Sequence, residues 1–251
     1  MFLAVAYPEL VRTSAGVYVD VGYGERPVTS IETLHRLRRL APDLRVIGVE
    51  LDAERLAAAA PFARPGLEFR RGGFDVPVRE GERIAVVRAL NVLRQYGESA
   101  VGAALTALGR VLIPGGLVIE GTSDPLGRLL AFTLHQRRGD GLAALGVVLA
   151  PALGPEFAPR QLRGVLPKSF IHHAETGGRI DRFFAAWEEA WQRSRGPATP
   201  RRRFQMAARR LADRHGYRVD RRPGLLRRGF LWVGPEWPEP GVDVSSRSGN
   251  A

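Results

Sequence analysis

Short apolar runs alternate with segments of helical periodicity through the first half of the chain. Five runs are typical of β-strands: residues 17–21, 44–50, 67–69, 84–87 and 116–120. Between them, residues 31–40, 53–60 and 99–112 repeat apolar side chains at helical spacing. Strands that alternate with helices in this way predict an α/β fold with a doubly wound, mostly parallel sheet.

The alternation breaks after Gly121. Residues 126–137 and 180–195 have helical patterns, and an apolar stretch covers 142–153, so we predict a largely helical insertion there. A helix is predicted again at 201–215. Two short strands, 216–219 and 229–233, must be antiparallel, because parallel neighbours need a longer connection than the one between them. The expected sheet therefore has seven strands, of which the last is antiparallel.

These patterns predict how the chain is divided. Residues 1–122 and 200–234 form the core, and residues 123–199 form an insertion, or lid, that helps to shape the substrate site. The insertion follows the fifth strand and so leaves from the carboxyl edge of the sheet, where ligands bind in this class. The tail, 235–251, is rich in Pro, Ser and Gly and is expected to be disordered.

Composition narrows the class of protein. The 251 residues are 45% hydrophobic and 25% charged, as in ordinary globular proteins. The absence of cysteine excludes disulfides, cysteine-ligated zinc and a thiolate nucleophile. The first residues resemble no export signal, and the 142–153 stretch is too short to span a bilayer, so we expect a cytoplasmic protein without a membrane span.

The net charge of +11 comes almost entirely from arginine, since Lys168 is the only lysine. Clustered arginines attract phosphate backbones, so a nucleic-acid partner is possible. The same bias is expected from a GC-rich genome, and a solvated basic surface is the favoured interpretation. Oligomeric state is left open by the sequence.

A glycine-rich turn follows the first strand, at Asp20-Val21-Gly22-Tyr23-Gly24. Glycines let the backbone pass close to a ligand, and the amides of the next helix then face it. A dinucleotide site favours a third glycine, but Pro27 occupies that position. The turn therefore favours a ligand other than NAD(P).

Glu50 ends the second strand, where a carboxylate can accept hydrogen bonds from the hydroxyls of a ribose. In an open parallel sheet, ligands lie outside the carboxyl ends of the strands. We therefore expect Gly22, Glu50 and the loops 72–75 and 88–91 to converge on one crevice.

These motifs together resemble class I S-adenosylmethionine-dependent methyltransferases, which have a Rossmann-like fold. The similar segments are the glycine turn, the acidic second motif at 46–51, the adenine loop at 71–75, the fourth-strand motif at 86–93 and the Pro-Gly-Gly turn at 112–118. The resemblance covers residues 15–121 and resumes at the terminal antiparallel pair. It implies transfer of a methyl group from S-adenosylmethionine.

The resemblance also implies roles for the site residues. Asp20 would lie near the methionine amine, and the amides from Gly22 through Tyr23 to Gly24 would approach the methionine end. Glu50 would bind the ribose. The adenine would lie between Leu51 on one side and Phe74 and Leu90 on the other. Gly73 stands where the family usually has an acidic residue, and Asp75 is the candidate replacement.

Arg88 and Asn91 follow the fourth strand, close to where methyl transfer occurs in this fold, and are secondary candidates for cofactor contact or catalysis. No metal site is predicted, because the adjacent His172 and His173 would point to opposite faces of a strand. Trp187 and Trp191 are expected to be core residues.

The methyl acceptor, which could be a small molecule, RNA or protein, is not identified by the sequence. Two alternatives remain: an NAD(P)-dependent enzyme on a similar sheet, and a non-catalytic basic module that binds nucleic acid. The second rests on four arginine clusters: 201–203, 209–210, 221–222 and 227–228.

Overall fold

Eight strands of the described residues form one sheet in the computed structural model, which describes residues 1–13, 16–171, 175–196 and 199–238. The strands are β1 (Val17–Val21), β2 (Arg45–Glu50), β3 (Leu67–Arg71), β4 (Ile84–Leu90), β5 (Leu112–Ser123), β6 (Leu129–Arg138), β7 (Gly141–Pro151) and β8 (Leu231–Val233). Their order across the sheet is β3-β2-β1-β4-β5-β6-β7-β8.

The sheet has two halves. The parallel half comprises β1 to β5, in which every neighbouring pair is parallel. The antiparallel half comprises β6 to β8, and β6 continues the sheet by pairing antiparallel with β5. The predicted α/β class with a mostly parallel, Rossmann-like sheet is confirmed, but the sheet has eight strands instead of seven and its last three strands are antiparallel.

Helices cover both faces. They are α1 (Phe2–Ala6), α2 (Pro8–Thr13), α3 (Val28–Leu37), α4 (Ala53–Ala59), α5 (Glu98–Arg110), α6 (Lys168–Ile171), α7 (Arg179–Gln192), α8 (Pro200–His215) and α9 (Pro223–Leu226). Short 3₁₀ helices occur at Ala60–Phe62, Leu93–Gln95 and Pro159–Val165. In the described ranges, no helix has both the length and the apolar character that crossing a bilayer requires.

The core lies on the two sides of the sheet. One side is covered by α1 and α3, whose buried residues pack on apolar side chains of both halves. On the other side, α5 packs over the parallel half, and α7 and α8 form an aromatic layer over the antiparallel half. Trp187 and Trp191 belong to this layer, which confirms their prediction as core residues.

The prediction of a helix at 126–137 is wrong, because those residues form the turn into β6 and most of that strand. The apolar stretch at 142–153 contains β7. Both strands are buried on two faces at their centres, so neither alternates between polar and apolar residues, and such runs are ambiguous between helix and strand. The helical part of the predicted insertion is confined to residues that follow β7.

The end of the chain also differs from the prediction. The expected pair, 216–219 and 229–233, is reduced to one antiparallel bridge between Val219 and Val233, and β8 pairs mainly with β7. Trp237, placed in a disordered tail by the sequence, is buried against Phe170 and Phe183. The rest of that tail from residue 239, and His172 and His173, lie outside the described residues.

Candidate functional site

The carboxyl ends of the parallel strands meet at one edge of the sheet, where a cleft of about 540 Å³ opens. We call it the edge cleft. Ten of the predicted site residues line it: Asp20, Gly22, Tyr23, Gly24, Glu50, Leu51, Phe74, Arg88, Leu90 and Asn91. The convergence expected from a parallel sheet is thus present in the structure.

Asp20 is the buried anion of the edge cleft, with 1% of its surface exposed. Its Oδ1 accepts a hydrogen bond from Arg88 Nη1 at 2.6 Å. Its Oδ2 accepts hydrogen bonds from the hydroxyls of Thr29 and Ser30, each at 2.7 Å. A buried charge is costly unless it is paired and hydrogen-bonded, and these contacts satisfy both conditions. Asp20 therefore fastens β1 to β4 and to the first turn of α3.

These partners restrict the contact with a ligand that the sequence predicts for Asp20. A carboxylate can accept about four hydrogen bonds, and three are already made within the chain. One acceptor position on Oδ1 is left for a ligand cation such as an ammonium group. The sequence named neither Thr29 nor Ser30, although hydroxyls at the start of the helix after a strand-end carboxylate are the signal that could have found them.

The glycine turn is required by backbone conformation and by space. Gly22 and Gly24 have φ of +66° and +81°, a region that residues with a Cβ rarely adopt. A Cβ at Gly22 would lie 2.5 Å from Cγ2 of Val92, which follows β4. Close approach of the backbone is therefore built into this turn.

Glu50 ties the turn to the end of β2. Its Oε2 accepts a hydrogen bond from the Gly24 amide at 3.2 Å, and its Oε1 accepts one from the Leu51 amide at 2.9 Å. The side chain is 8% exposed, and Arg55 Nη1 lies 4.0 Å from Oε2. The carboxylate is thus held in place at the cleft wall, and both of its oxygens are acceptors.

Tyr23 supports the turn from behind. Its ring packs edge-on against Phe69, with centroids 5.2 Å apart, and only 7% of the residue is exposed. Burial, together with the nearby negative charge of Glu50, raises the pKa of the Tyr23 hydroxyl to about 12. The hydroxyl is therefore neutral at physiological pH and unsuited to act as a base.

Exposed apolar side chains mark the outer part of the edge cleft. Leu51 is 62% exposed and Tyr96 is 41% exposed. The Tyr96 ring packs against Phe74, with centroids 5.2 Å apart and planes inclined at 61°. Exposed apolar groups that face a cleft suit a planar aromatic ligand. Tyr96 was not predicted, because it follows the irregular turn after β4, which has no recognisable motif.

Asn91 joins the ends of β4 and β5. Its φ is +64°, a conformation that asparagine tolerates better than most residues. Its Nδ2 donates to Ser123 Oγ at 3.0 Å, and the Ser123 amide donates back to Oδ1 at 2.8 Å. Strained backbone that is held by such reciprocal bonds is typical of functional sites.

Asp75 is the predicted residue that the structure does not bring into the cleft. Its side chain is exposed, and Oδ1 accepts a hydrogen bond from the Gly73 amide of its own loop at 3.1 Å. Gly73 and Phe74 do line the cleft. An adenine contact by Asp75 therefore has no support from this geometry.

The arginine clusters are partly engaged within the chain. Four arginines have intramolecular partners: Arg203 stacks on Trp191, Arg221 and Arg222 pair with Asp213 and Asp220, and Arg228 donates to the Gly224 carbonyl. The Arg203 contact joins α8 to α7, the Arg221 contact joins α8 to the segment that follows it, and the other two are local. The hypothesis of a nucleic-acid face gains no support from them and stays a prediction.

The sequence of this chain matches no protein-family profile and no curated protein. Among solved structures, it is similar to several methyltransferases.

S-adenosylmethionine-bound CalS10, an amino pentose methyltransferase from Micromonospora echinaspora, is 19% identical; the match covers 60% of this chain and 68% of that one, with a TM-score of 0.35. The CMeT domain of the citrinin polyketide synthase is 20% identical over 43% of this chain and 30% of that one, with a TM-score of 0.36.

A putative methyltransferase in complex with the Haloferax volcanii Trm112 activator is 22% identical over 48% of this chain and 52% of that one, with a TM-score of 0.34. For three of the matched structures, the aligned part is about half or less of their own length, at 30%, 52% and 39%. At these scores, no conclusion about activity follows from the likeness.

Proposed function

We propose that this chain transfers a methyl group from S-adenosylmethionine to an acceptor. The observation that carries the proposal is the edge cleft, where a positive-φ glycine turn lies between two buried strand-end carboxylates, Asp20 and Glu50. This is the arrangement that the sequence motifs of class I methyltransferases imply.

The residues of the edge cleft fit the parts of S-adenosylmethionine. Glu50 presents fixed acceptor oxygens, which suit the two hydroxyls of a ribose. Leu51 and the Phe74–Tyr96 pair are exposed apolar surfaces, which suit the faces of adenine. The remaining acceptor position of Asp20 suits an ammonium group. When bound, S-adenosylmethionine supplies a methyl group on a sulfonium, which needs no further activation.

The chain's own contribution is then alignment and exclusion of water. The glycine turn lets the backbone approach the methionine end, and the Asn91–Ser123 pair holds the ends of β4 and β5 in a fixed relation. Preorganised positioning of this kind accounts for a large part of the acceleration in transfer reactions.

An NAD(P) enzyme is less consistent with the same cleft. Pro27 is the N-cap of α3 and makes no side-chain capping bond, and it occupies the position where a dinucleotide fold has its third glycine.

The test is calorimetric titration of the full chain with S-adenosylmethionine and S-adenosylhomocysteine, and separately with NAD(P). We expect both sulfur compounds to bind and the dinucleotides not to bind. Glu50→Gln should weaken binding by about tenfold or more, because the amide leaves a donor against the Gly24 or Leu51 amide and loses an acceptor for the ribose.

The matched control is Glu54→Gln, on the exposed first turn of α4, which should bind as the wild type does. Failure of the folded wild type to bind either sulfur compound would overturn the proposal. Binding of NAD(P) alone would favour the runner-up enzyme class.

A further inference from the structure

A second cavity, of about 280 Å³, lies on the face of the sheet that α1 and α3 cover. We call it the apolar cavity. Its walls are mainly apolar and aromatic, and include Phe2, Leu37, Ile119, Leu130, Phe132 and Phe230. Its volume is close to the lower end of the range for small-molecule sites, about 300 Å³ and upward. The cavity therefore suits the apolar body of a small molecule.

The apolar cavity adjoins the edge cleft. Thr29, Arg88 and Leu90 line both. Two of these residues are held in place by Asp20, since Thr29 Oγ1 lies 2.7 Å from Oδ2 and Arg88 Nη1 lies 2.6 Å from Oδ1. The two cavities therefore adjoin at these three side chains, and Asp20 holds two of them.

Arg88 is the cation of this shared wall. Its side chain is 18% exposed and gives one nitrogen to Asp20, whereas a guanidinium has five N–H donors. The donors that remain suit a carboxylate, which a guanidinium binds through two parallel hydrogen bonds. The carboxylate of Glu32 also lines this cavity and interacts electrostatically with Arg88, and its pairing with Arg36 at 3.0 Å partly offsets its negative charge.

The shared wall offers no base. Thr29, Arg88 and Leu90, the described residues that line both cavities, carry no carboxylate or imidazole, and the other titratable groups of the apolar cavity, such as Glu32 and the Met1 amine, lie outside this shared wall. Asp20, the nearest carboxylate, is charge-paired with Arg88 and accepts two hydroxyl hydrogen bonds. An alcohol or ammonium acceptor would have to lose a proton during transfer, whereas a carboxylate arrives without one.

We propose that the methyl acceptor is a small apolar carboxylic acid, with its apolar body in this cavity and its carboxylate at Arg88. The proposal rests on the proposed methyl transfer. One carboxylate oxygen forms a bond to the methyl carbon while the carbon–sulfur bond breaks and its electron pair stays on sulfur. The products are a methyl ester and a neutral thioether, and no proton moves.

The surroundings favour this reaction. The charges of a carboxylate and a sulfonium neutralise each other as the bond forms. An apolar environment raises the free energy of the charged reactants more than that of the transition state, which lowers the barrier. Arg88 orients the anion, and the mainly apolar walls hold the rest of the acid.

The probe pair is 3-phenylpropanoate and 3-phenylpropanamide, which share a shape and differ in charge. Calorimetry on the full chain should show the acid binding at least about tenfold more tightly than the amide. Incubation of the acid with methyl-labelled S-adenosylmethionine should yield its methyl ester, measured as methanol released by mild base.

Thr33→Trp tests the location, because Thr33 lines the apolar cavity and does not line the edge cleft. It should weaken acid binding by about tenfold or more and leave S-adenosylhomocysteine binding within about threefold. Leu130→Trp fills the cavity from β6 and should act in the same way. Thr106→Trp, on the exposed side of α5, is the matched control and should change neither.

Equal binding of acid and amide, no binding of the acid, or no ester from a chain that binds S-adenosylhomocysteine would each overturn the proposal. Unchanged acid binding by folded Thr33→Trp and Leu130→Trp would do the same. If the acid binds in a Thr33-dependent way and neither sulfur compound binds, the proposed methyl transfer fails, and the cavity retains only its assignment as a carboxylate site.

Discussion

The two halves of the sheet differ in where they place polar groups. In the parallel half, β1, β2 and β4 end at the same edge, which places Asp20, Glu50 and Asn91 around the edge cleft. In the antiparallel half, successive strands end at opposite edges, so their ends cannot converge. The parallel half therefore provides a ligand site by its topology alone.

The antiparallel half contributes a different property. It packs beneath α7 and α8, where Phe183, Phe184, Trp187 and Phe204 are each completely buried. Large aromatic side chains in close contact contribute strongly to the free energy of unfolding. We therefore expect substitutions in the antiparallel half to change stability, and substitutions in the edge cleft to change ligand binding.

Trp187→Ala should have the largest effect. Trp187 has no exposed surface and contacts the rings of Phe157, Phe184 and Phe204, so truncation leaves a cavity among them. Such truncations cost about 3 to 5 kcal/mol of unfolding free energy. Urea denaturation measures the loss, and the folded fraction should still bind S-adenosylhomocysteine as the wild type does.

Glu189→Ala, at an exposed position of the same helix, is the control for Trp187→Ala and should change stability by less than about 0.5 kcal/mol. A loss at Trp187 of less than about 1 kcal/mol would contradict the assignment of stability to this half. A loss of ligand binding in the folded fraction would show that the two halves are coupled.

The parallel half was predictable from the sequence because local chemistry specifies it. Strands β1 and β2 are short apolar runs that end in a carboxylate or a glycine, and the helices that follow them have clear periodicity. Turn residues such as Gly22 have conformational requirements that can be read one position at a time. The position of the edge cleft follows from these features.

The antiparallel half and the details of the cleft depend on pairing over distance. The Leu129–Arg138 strand is apolar on both faces at its centre, because helices cover both sides, so its pattern does not distinguish strand from helix. The ion pair of Asp20 with Arg88 joins residues that are 68 positions apart. The sequence named both residues without indicating that they pair.

Glu120 lies on β5, at the boundary between the two halves of the sheet. It is 1% exposed and its Oε2 accepts a hydrogen bond from Thr133 Oγ1 at 3.2 Å. Burial raises the pKa of the Glu120 carboxyl from 4.5 to about 7, and the Thr133 hydrogen bond opposes this only in part. The folded chain is therefore more stable when the Glu120 carboxyl group, at the boundary, is protonated.

The pH dependence follows from that shift. Between pH 4.5 and about 7 the folded chain retains a proton that the unfolded chain has lost, so stability falls as the pH rises through this window. At about 1.4 kcal/mol per pKa unit, the loss attributable to Glu120 above the window is roughly 3 kcal/mol. Glu120→Gln keeps the acceptor and removes the charge, so it should stabilise the chain at about pH 8 and not at about pH 5.

Urea denaturation of wild type and Glu120→Gln at these two pH values measures the effect. Glu80→Gln, at an exposed position, is the control and should follow the wild type at both. Equal slopes of stability against pH in Glu120→Gln and wild type would show that Glu120 is not the group responsible. Unchanged binding of S-adenosylhomocysteine by the variant would show that Glu120 affects stability and not ligand binding.

The smallest expected effect is that of Leu51→Ala, at the opposite extreme from Trp187. Leu51 is 62% exposed, so its loss should change the free energy of unfolding by less than about 0.5 kcal/mol. The Leu51 side chain lines the edge cleft, so the variant would lose its contact with an adenine ring. The affinity for S-adenosylhomocysteine should therefore fall by about 1 kcal/mol, or roughly fivefold.

Val78→Ala is the control, because it removes apolar surface from a 40% exposed residue outside the cleft and should leave affinity unchanged. If the two variants bind equally well, the exposed leucine does not contact the ligand, and the adenine is held without it, by residues such as Phe74 and Tyr96.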